Sequence, residues 1–336
     1  PVEEAKKKPT SVSRLEADDK PGREAEKTGL KKNGKGEAQT SWNLVRSGTL
    51  EMKIFLSLLA LLAVAALMQY PLWIDVTNEE YKRLTKEYPG QLKKWEEKKH
   101  TLKTEQEKKE HEAQKPVKPA RPTFKDFILY QAFTVMLQGA LFAFLGINIS
   151  RRVGLGTPIL DRAFDRGAAG GVFGSDVANL LAYSVPFGIF ALAPLLISTA
   201  VGRSMDLQQA NQVKKYPLWK NALNFANLSV NHQILFVFFL VSAMVWIFMR
   251  YQERLKVEPH WAGLALASLL AFAYFFYIAR QSGEQTGLAL LGAAFLSLSQ
   301  VSILGYLYWK KGLEYSLLAG AVCLGVYPFV ATFIVG

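Results

Sequence analysis

The apolar residues of this chain are gathered into blocks of about twenty, the length an α-helix needs to cross a hydrocarbon layer of ~30 Å at ~1.5 Å per residue. The blocks run over about 54–74, 127–149, 178–201, 225–249, 261–279, 286–309 and 315–335. Lipid offers no partner to a backbone N–H or C=O, so each crossing block has to close its own hydrogen bonds as a helix. The expected fold is therefore an all-α polytopic membrane protein with seven spans, or eight if 216–250 contains a further short or re-entrant helix. An ordinary soluble enzyme is excluded. The mean hydropathy of +0.09 averages two unlike parts, a Lys- and Glu-rich front of about 125 residues and a strongly apolar remainder.

The front divides further. Residues 1–51 carry too few large apolar groups to offset the entropy of ordering and read as a flexible charged tail. A chain beginning at Pro1 reads as a processed or truncated product. Met52-Lys53 and the following apolar run resemble a signal peptide, but with fifty residues ahead of them an uncleaved anchor over 52–75 is the better reading. Tyr70 and Trp73 sit where interfacial aromatics belong. Over 76–123 the composition turns to charge, and Glu and Lys three and four apart support a solvated helix or a hairpin of helices. Leu84, Leu92, Trp95 and Leu102 are too sparse for a sustained heptad. Pro116, Pro119 and Pro122 end any helix and make a stiff lead into a membrane domain over 124–336.

Charge points to partners. Forty Lys+Arg against 28 Asp+Glu leave +12, spread over tails and loops beside apolar segments, so the counter-charge expected is the lipid headgroup and not nucleic acid. Orientation is close to a tie: twelve Lys/Arg precede Ile54 and fourteen lie between Asp75 and Asp126. The single cysteine, Cys323, lies in an apolar block and allows no disulfide within the chain.

An ionisable residue inside a span is costly and marks a candidate site. Of His100, His111, His232 and His260, only His232 lies inside an apolar block. Asp161, Asp165, Asp176, Asp206, Glu253, Glu258, Glu284 and Glu314 fall at span ends or in loops. One histidine cannot hold a zinc ion, which takes about three side-chain ligands. No Gly-rich phosphate loop, His-Glu-x-x-His helix or Gly-x-Ser-x-Gly elbow is present. For His232 a hydrogen-bonded packing role outweighs a ligand or proton role. The polar run Asn221, Asn224, Asn227, Ser229, Asn231, His232, Gln233 reads either as an interfacial helix or as one face of a polar cavity, with Asn227, Asn231, His232 and Gln233 as its lining. No cofactor is expected.

Two segments carry a family resemblance. Gly305-Tyr-Leu-Tyr-Trp-Lys-Lys-Gly-Leu-Glu-Tyr-Ser-Leu-Leu-Ala-Gly320 resembles the tail signature of the CPBP family of intramembrane metalloproteases, relatives of the CAAX prenyl endopeptidases. Gly146-Ile-Asn-Ile-Ser-Arg-Arg-Val-Gly-Leu-Gly-Thr-Pro-Ile-Leu160 is similar to a second segment of bacterial members. The resemblance covers roughly 125–336. It implies a CAAX-protease-like bundle and three motifs, Glu-Glu-x-x-x-Arg, Phe-x-x-x-His and His-x-x-x-Asn/Asp. On these motifs His232 and Gln233 stand for the two glutamates and Val237 for the arginine. Phe276 stands for the second motif's histidine, and Gly320 and Leu324 for the third motif's histidine and Asn/Asp.

Without a tunable carboxylate and a metal to acidify water, proteolysis has no carrier. The resemblance therefore implies a catalytically inactive member acting as a binding, scaffold or structural subunit with other membrane proteins, in a bacterial inner membrane. The rivals are a divergent protease using His232, Gln233 and a loop carboxylate such as Glu284 or Glu314, and a small-solute carrier or channel lined by 221–233.

Overall fold

A computed structural model describes residues 36–99, 104–166, 172–204, 215–281, 283 and 286–335. The chain divides by contacts into Pro1–Val45 and Arg46–Gly336. The expected flexible tail lies largely outside the described residues, and α1 begins within that stretch, at Gly36. Asp165, Asp206, Glu284 and His100 likewise have no described side chain.

Ten helices make up the described chain. They are α1 (Gly36–Met68), α2 (Tyr70–Lys99), α3 (Glu105–Ala113), α4 (Phe124–Arg152), α5 (Pro158–Arg166), α6 (Val172–Ser204), α7 (Leu218–Leu255), α8 (Pro259–Gln281), α9 (Gly287–Lys311) and α10 (Leu313–Val335). Seven helical stretches among the described residues are long and apolar enough to span a membrane, and the protein is an integral membrane protein. The further helix considered within 216–250 does not form, because α7 runs unbroken for 38 residues. Helix α6 continues through Pro186 and Pro194.

The anchor does not stop at the bilayer edge. Pro71 has no N–H to return to Leu67, and the chain takes a turn at Gln69, with Leu72 N–H donating to the Gln69 carbonyl at 3.2 Å. It then resumes at once as α2, so 48–99 is nearly one rod. Helix α3 starts on a capping box between Thr104 and Glu107 and folds back on α2. The two are tied by a reciprocal pair: Trp95 Nε1–H donates to the His111 carbonyl at 2.9 Å, and His111 Nε2 lies 2.8 Å from the Trp95 carbonyl. Their rings stack 4.9 Å apart at 6°. Asp75 to Trp95 rises ~30 Å as helix. The non-helical, proline-bearing return from Ala113 to Phe124 spans about the same distance at ~3.1 Å per residue, long enough to bring the chain back from the hairpin to the start of α4. Its base is pinned by Lys220 to Asp75 and by Lys215 and Tyr216 to Glu79. The Glu79 carboxylate, through its hydrogen bond, holds the Lys215 ammonium above its ordinary range.

In the bundle, α10 packs along α6 and the first half of α7, α8 lies against both α7 and α9, and α4 covers the middle of α7. Lipid is as apolar as leucine, so close backbone approach and interhelical hydrogen bonds hold such helices together. Gly139 of α4 admits Leu62, Gly263 of α8 admits Val245, and Gly188 of α6 lies so close to the Ala319 carbonyl that an added Cβ would stand 2.6 Å from it.

Successive spans alternate in direction. One face of the bundle therefore gathers Arg151, α5, Glu258 and Gly312, and the other gathers the α2/α3 hairpin, Tyr216 and Arg280.

Candidate functional site

Three of the spans contain π-helical turns, at Phe127–Ala132, Gln233–Val241 and Leu298–Ile303. A π turn widens the helix by about one residue and is frequent at functional sites. Two of the three carry a glutamine that is wholly buried, Gln233 at the start of one and Gln300 inside the other.

The two amides meet. Gln233 Nε2–H donates to Gln300 Oε1 at 3.4 Å, and Gln233 Oε1 accepts from Ser316 Oγ at 2.5 Å. Ser316 Oγ also lies 3.0 Å from the Leu304 carbonyl. Gln300 Nε2 is 3.5 Å from Ser299 Oγ and 3.9 Å from Cys323 Sγ. This polar knot joins α7, α9 and α10. Gly320 makes room for it, since a Cβ there would stand 2.6 Å from Ser229 Oγ and 3.0 Å from Gln233 Nε2. Ser229 Oγ has no hydrogen-bond partner.

The positions implied by the resemblance fall in and around this knot. Gln233 is its centre, Gly320 its wall, and Val237 and Leu324 are buried apolar residues. His232 points elsewhere. Its ring lies against Phe275 at 5.4 Å and Phe236 at 5.6 Å, and its Nδ1 is buried without a partner. Phe276 stacks on Phe272 at 6.3 Å, so it is Phe275 that faces His232. Asn227 and Asn231 do not combine with them into an open path: Asn231 Nδ2–H turns back to the Asn227 carbonyl at 3.0 Å and its Oδ1 at 2.9 Å. Asn221 donates to the Tyr216 carbonyl at 3.1 Å and helps close the start of α7.

Sequence reasoning placed Ser229 in the polar run but did not find Gln300 or Ser316. It searched the spans for charges, and the signal was an uncharged one: an amide in the middle of an apolar block is also costly to bury unless it is bonded. A serine ladder alongside shows the same device, with Ser302 Oγ 2.9 Å from Ser268 Oγ and Ser297 bonding the Ser268 carbonyl.

The two segments that carry the resemblance, about 160 residues apart, touch at the first face of the bundle. Leu313 N–H donates to the Gly156 carbonyl at 3.0 Å. Glu314 Oε1 accepts from the backbone N–H groups of Ile159 at 3.0 Å and Leu160 at 2.8 Å, the first free donors of α5. Glu314 is thus a remote cap on a short helix whose orphan N–H groups need an acceptor. Its other oxygen, Oε2, is buried without a partner. Gly312 has a φ of +114° and lies so close to Pro158 that no Cβ fits between them. A groove of about 610 Å³ opens above this junction. Glu284, the other carboxylate considered for hydrolysis, lies outside the described residues.

Among the described residues no group of three or more His, Cys, Asp or Glu side chains converges to hold a metal ion. Comparison with protein-family models, with curated proteins and with solved structures finds no match for this chain.

Proposed function

We propose that the chain is a non-catalytic, CPBP-like integral membrane protein that works by binding, as a scaffold or structural subunit of a membrane-protein complex in a bacterial inner membrane. The observation that carries this reading is the closed polar knot at Gln233. A hydrolytic site needs a water held between an acid or base and an electrophile. Here the amide at the centre is occupied on both sides by Ser316 and Gln300, and Gly320 is pressed against it.

The binding part of the reading is supported by the α2/α3 hairpin. It is ordered by its own Trp95–His111 pair and pinned at its base, while most of its charged side chains face water. A rigid, mixed-charge projection loses little entropy on docking.

Solubilising the full chain in a mild detergent from its native membrane, then identifying what co-purifies, tests the proposal. A stoichiometric companion polypeptide that is lost when Trp95→Ala unpins the hairpin is the expected result. A lone monodisperse species would remove the scaffold reading. One tightly bound zinc per chain would remove the non-catalytic one.

A further inference from the structure

We infer that the groove at the junction of the two segments is a binding site for the phosphate headgroup of an anionic glycerophospholipid. The groove, about 610 Å³, lies between the α4–α5 loop and the α9–α10 turn, with Leu50 of α1 on its flank. Its charged lining is Arg151, Lys310 and Lys311 against one carboxylate, Asp161. The three cations are not equivalent. Arg151 is committed within the protein, to Asp161 at 3.1 Å and Glu51 at 3.4 Å. Lys310 and Lys311 are held by aromatic faces instead, with Nζ 3.6 Å from the centroid of Trp309 and 3.7 Å from that of Tyr183. A ring fixes where an ammonium sits without neutralising it. Both lysines belong to the lining of the groove, and each keeps its full positive charge. At Gly154, where φ is +71°, open space surrounds the place a side chain would occupy.

A lipid, and not a soluble anion, is the occupant that the surroundings fit. The groove lies at the level of an aromatic belt in which His260 stacks on Trp309 at 5.1 Å, and Trp261 packs on Trp309 at 5.0 Å and Tyr306 at 5.7 Å. Such belts sit at headgroup depth. On α1, below Leu50, Met52 and Leu56 are more than half exposed and offer an acyl chain an apolar track. Basic pockets between spanning helices at this depth suit a lipid phosphate.

Native mass spectrometry of the full chain in detergent, titrated with phosphatidylglycerol or with phosphatidylcholine, reads the site directly. The expected result is one tightly retained phosphatidylglycerol, with a preference over phosphatidylcholine of about tenfold or more. The Lys310→Gln/Lys311→Gln variant loses that preference, whereas Lys118→Gln on the distant proline-rich return keeps it. Thermal melting of the same samples guards against misfolding: the double variant without added lipid melts near the wild type, and phosphatidylglycerol raises the melting temperature of the wild type alone. Equal retention of the two lipids, a preference unchanged in the double variant, or a double variant that melts far below the wild type without lipid would overturn the site. Stabilisation by inorganic phosphate equal to that by phosphatidylglycerol would overturn its assignment to a lipid.

Discussion

Gly320 and Gln233 sit so close that a Cβ on the glycine would stand 3.0 Å from the glutamine Nε2, and 2.6 Å from the neighbouring Ser229 Oγ. The amide can be wholly buried between the helices only because α10 presents no side chain at that point. Gly320→Ala is expected to destabilise the bundle by about 1–3 kcal/mol, the usual range for overpacking a filled core. Adding Ser229→Ala removes the nearer clash, and the pair should recover part of the loss. Thermal melting of detergent-solubilised protein measures both; strictly additive losses would show that the contact does not couple the two sites.

The amide pair behaves differently when one or both partners are removed. Gln233→Leu leaves Gln300 Oε1 buried without its donor, at about 1–3 kcal/mol. In Gln233→Leu/Gln300→Leu no orphan remains, since Ser316 Oγ keeps the Leu304 carbonyl. The double variant is expected to melt above the Gln233→Leu single variant, and a lower melting point would mean that the knot is not closed on itself.

Glu314 ties α10 to the start of α5 through two backbone N–H groups. Glu314→Ala should cost about 1–2 kcal/mol as a lost cap, with faster amide exchange at Ile159 and Leu160. Glu314→Gln keeps an acceptor oxygen and should retain slow exchange there. Equal exchange in the two variants would contradict the capping role.

The hairpin and the bundle should come apart in stability. Trp95→Ala removes the stacked ring and the Nε1–H donor that meet His111. Limited proteolysis should then cut between α2 and α3 many times faster while the thermal transition of the spans stays in place. A shifted span transition would show that the hairpin is part of the bundle's core.

At the entrance to α8, Glu258 accepts from the Trp261 backbone N–H at 2.8 Å and contacts His260 Nδ1 at 3.0 Å. Desolvation works against its ionisation, but the hydrogen bonds from Trp261 and His260 outweigh it, and its pKa lies below the ordinary 4.5. A depressed carboxyl contributes stability that is present above the unfolded value and is lost as pH falls through the folded one. The wild type should therefore lose more stability than Glu258→Gln between about pH 5 and pH 3. Parallel pH profiles in melting experiments would count against the cap.

The number of spans was legible in the chain itself, because a run of about twenty apolar residues has one way to satisfy its backbone in lipid. So were the charged hairpin, whose Glu and Lys spacing is helical, and the proline-bearing return that ends it. Which polar residues matter was not legible. Gln300 and Ser316 look like isolated polar residues in apolar blocks, and only the crossing of α7, α9 and α10 brings them to Gln233. His232 is its sequence neighbour, yet the helix turns it away to Phe275. Periodicity and length act along the chain and can be read there. Burial, register and the partner of each amide depend on which helices pack together, and that was decided only when residues tens to hundreds of positions apart came into contact.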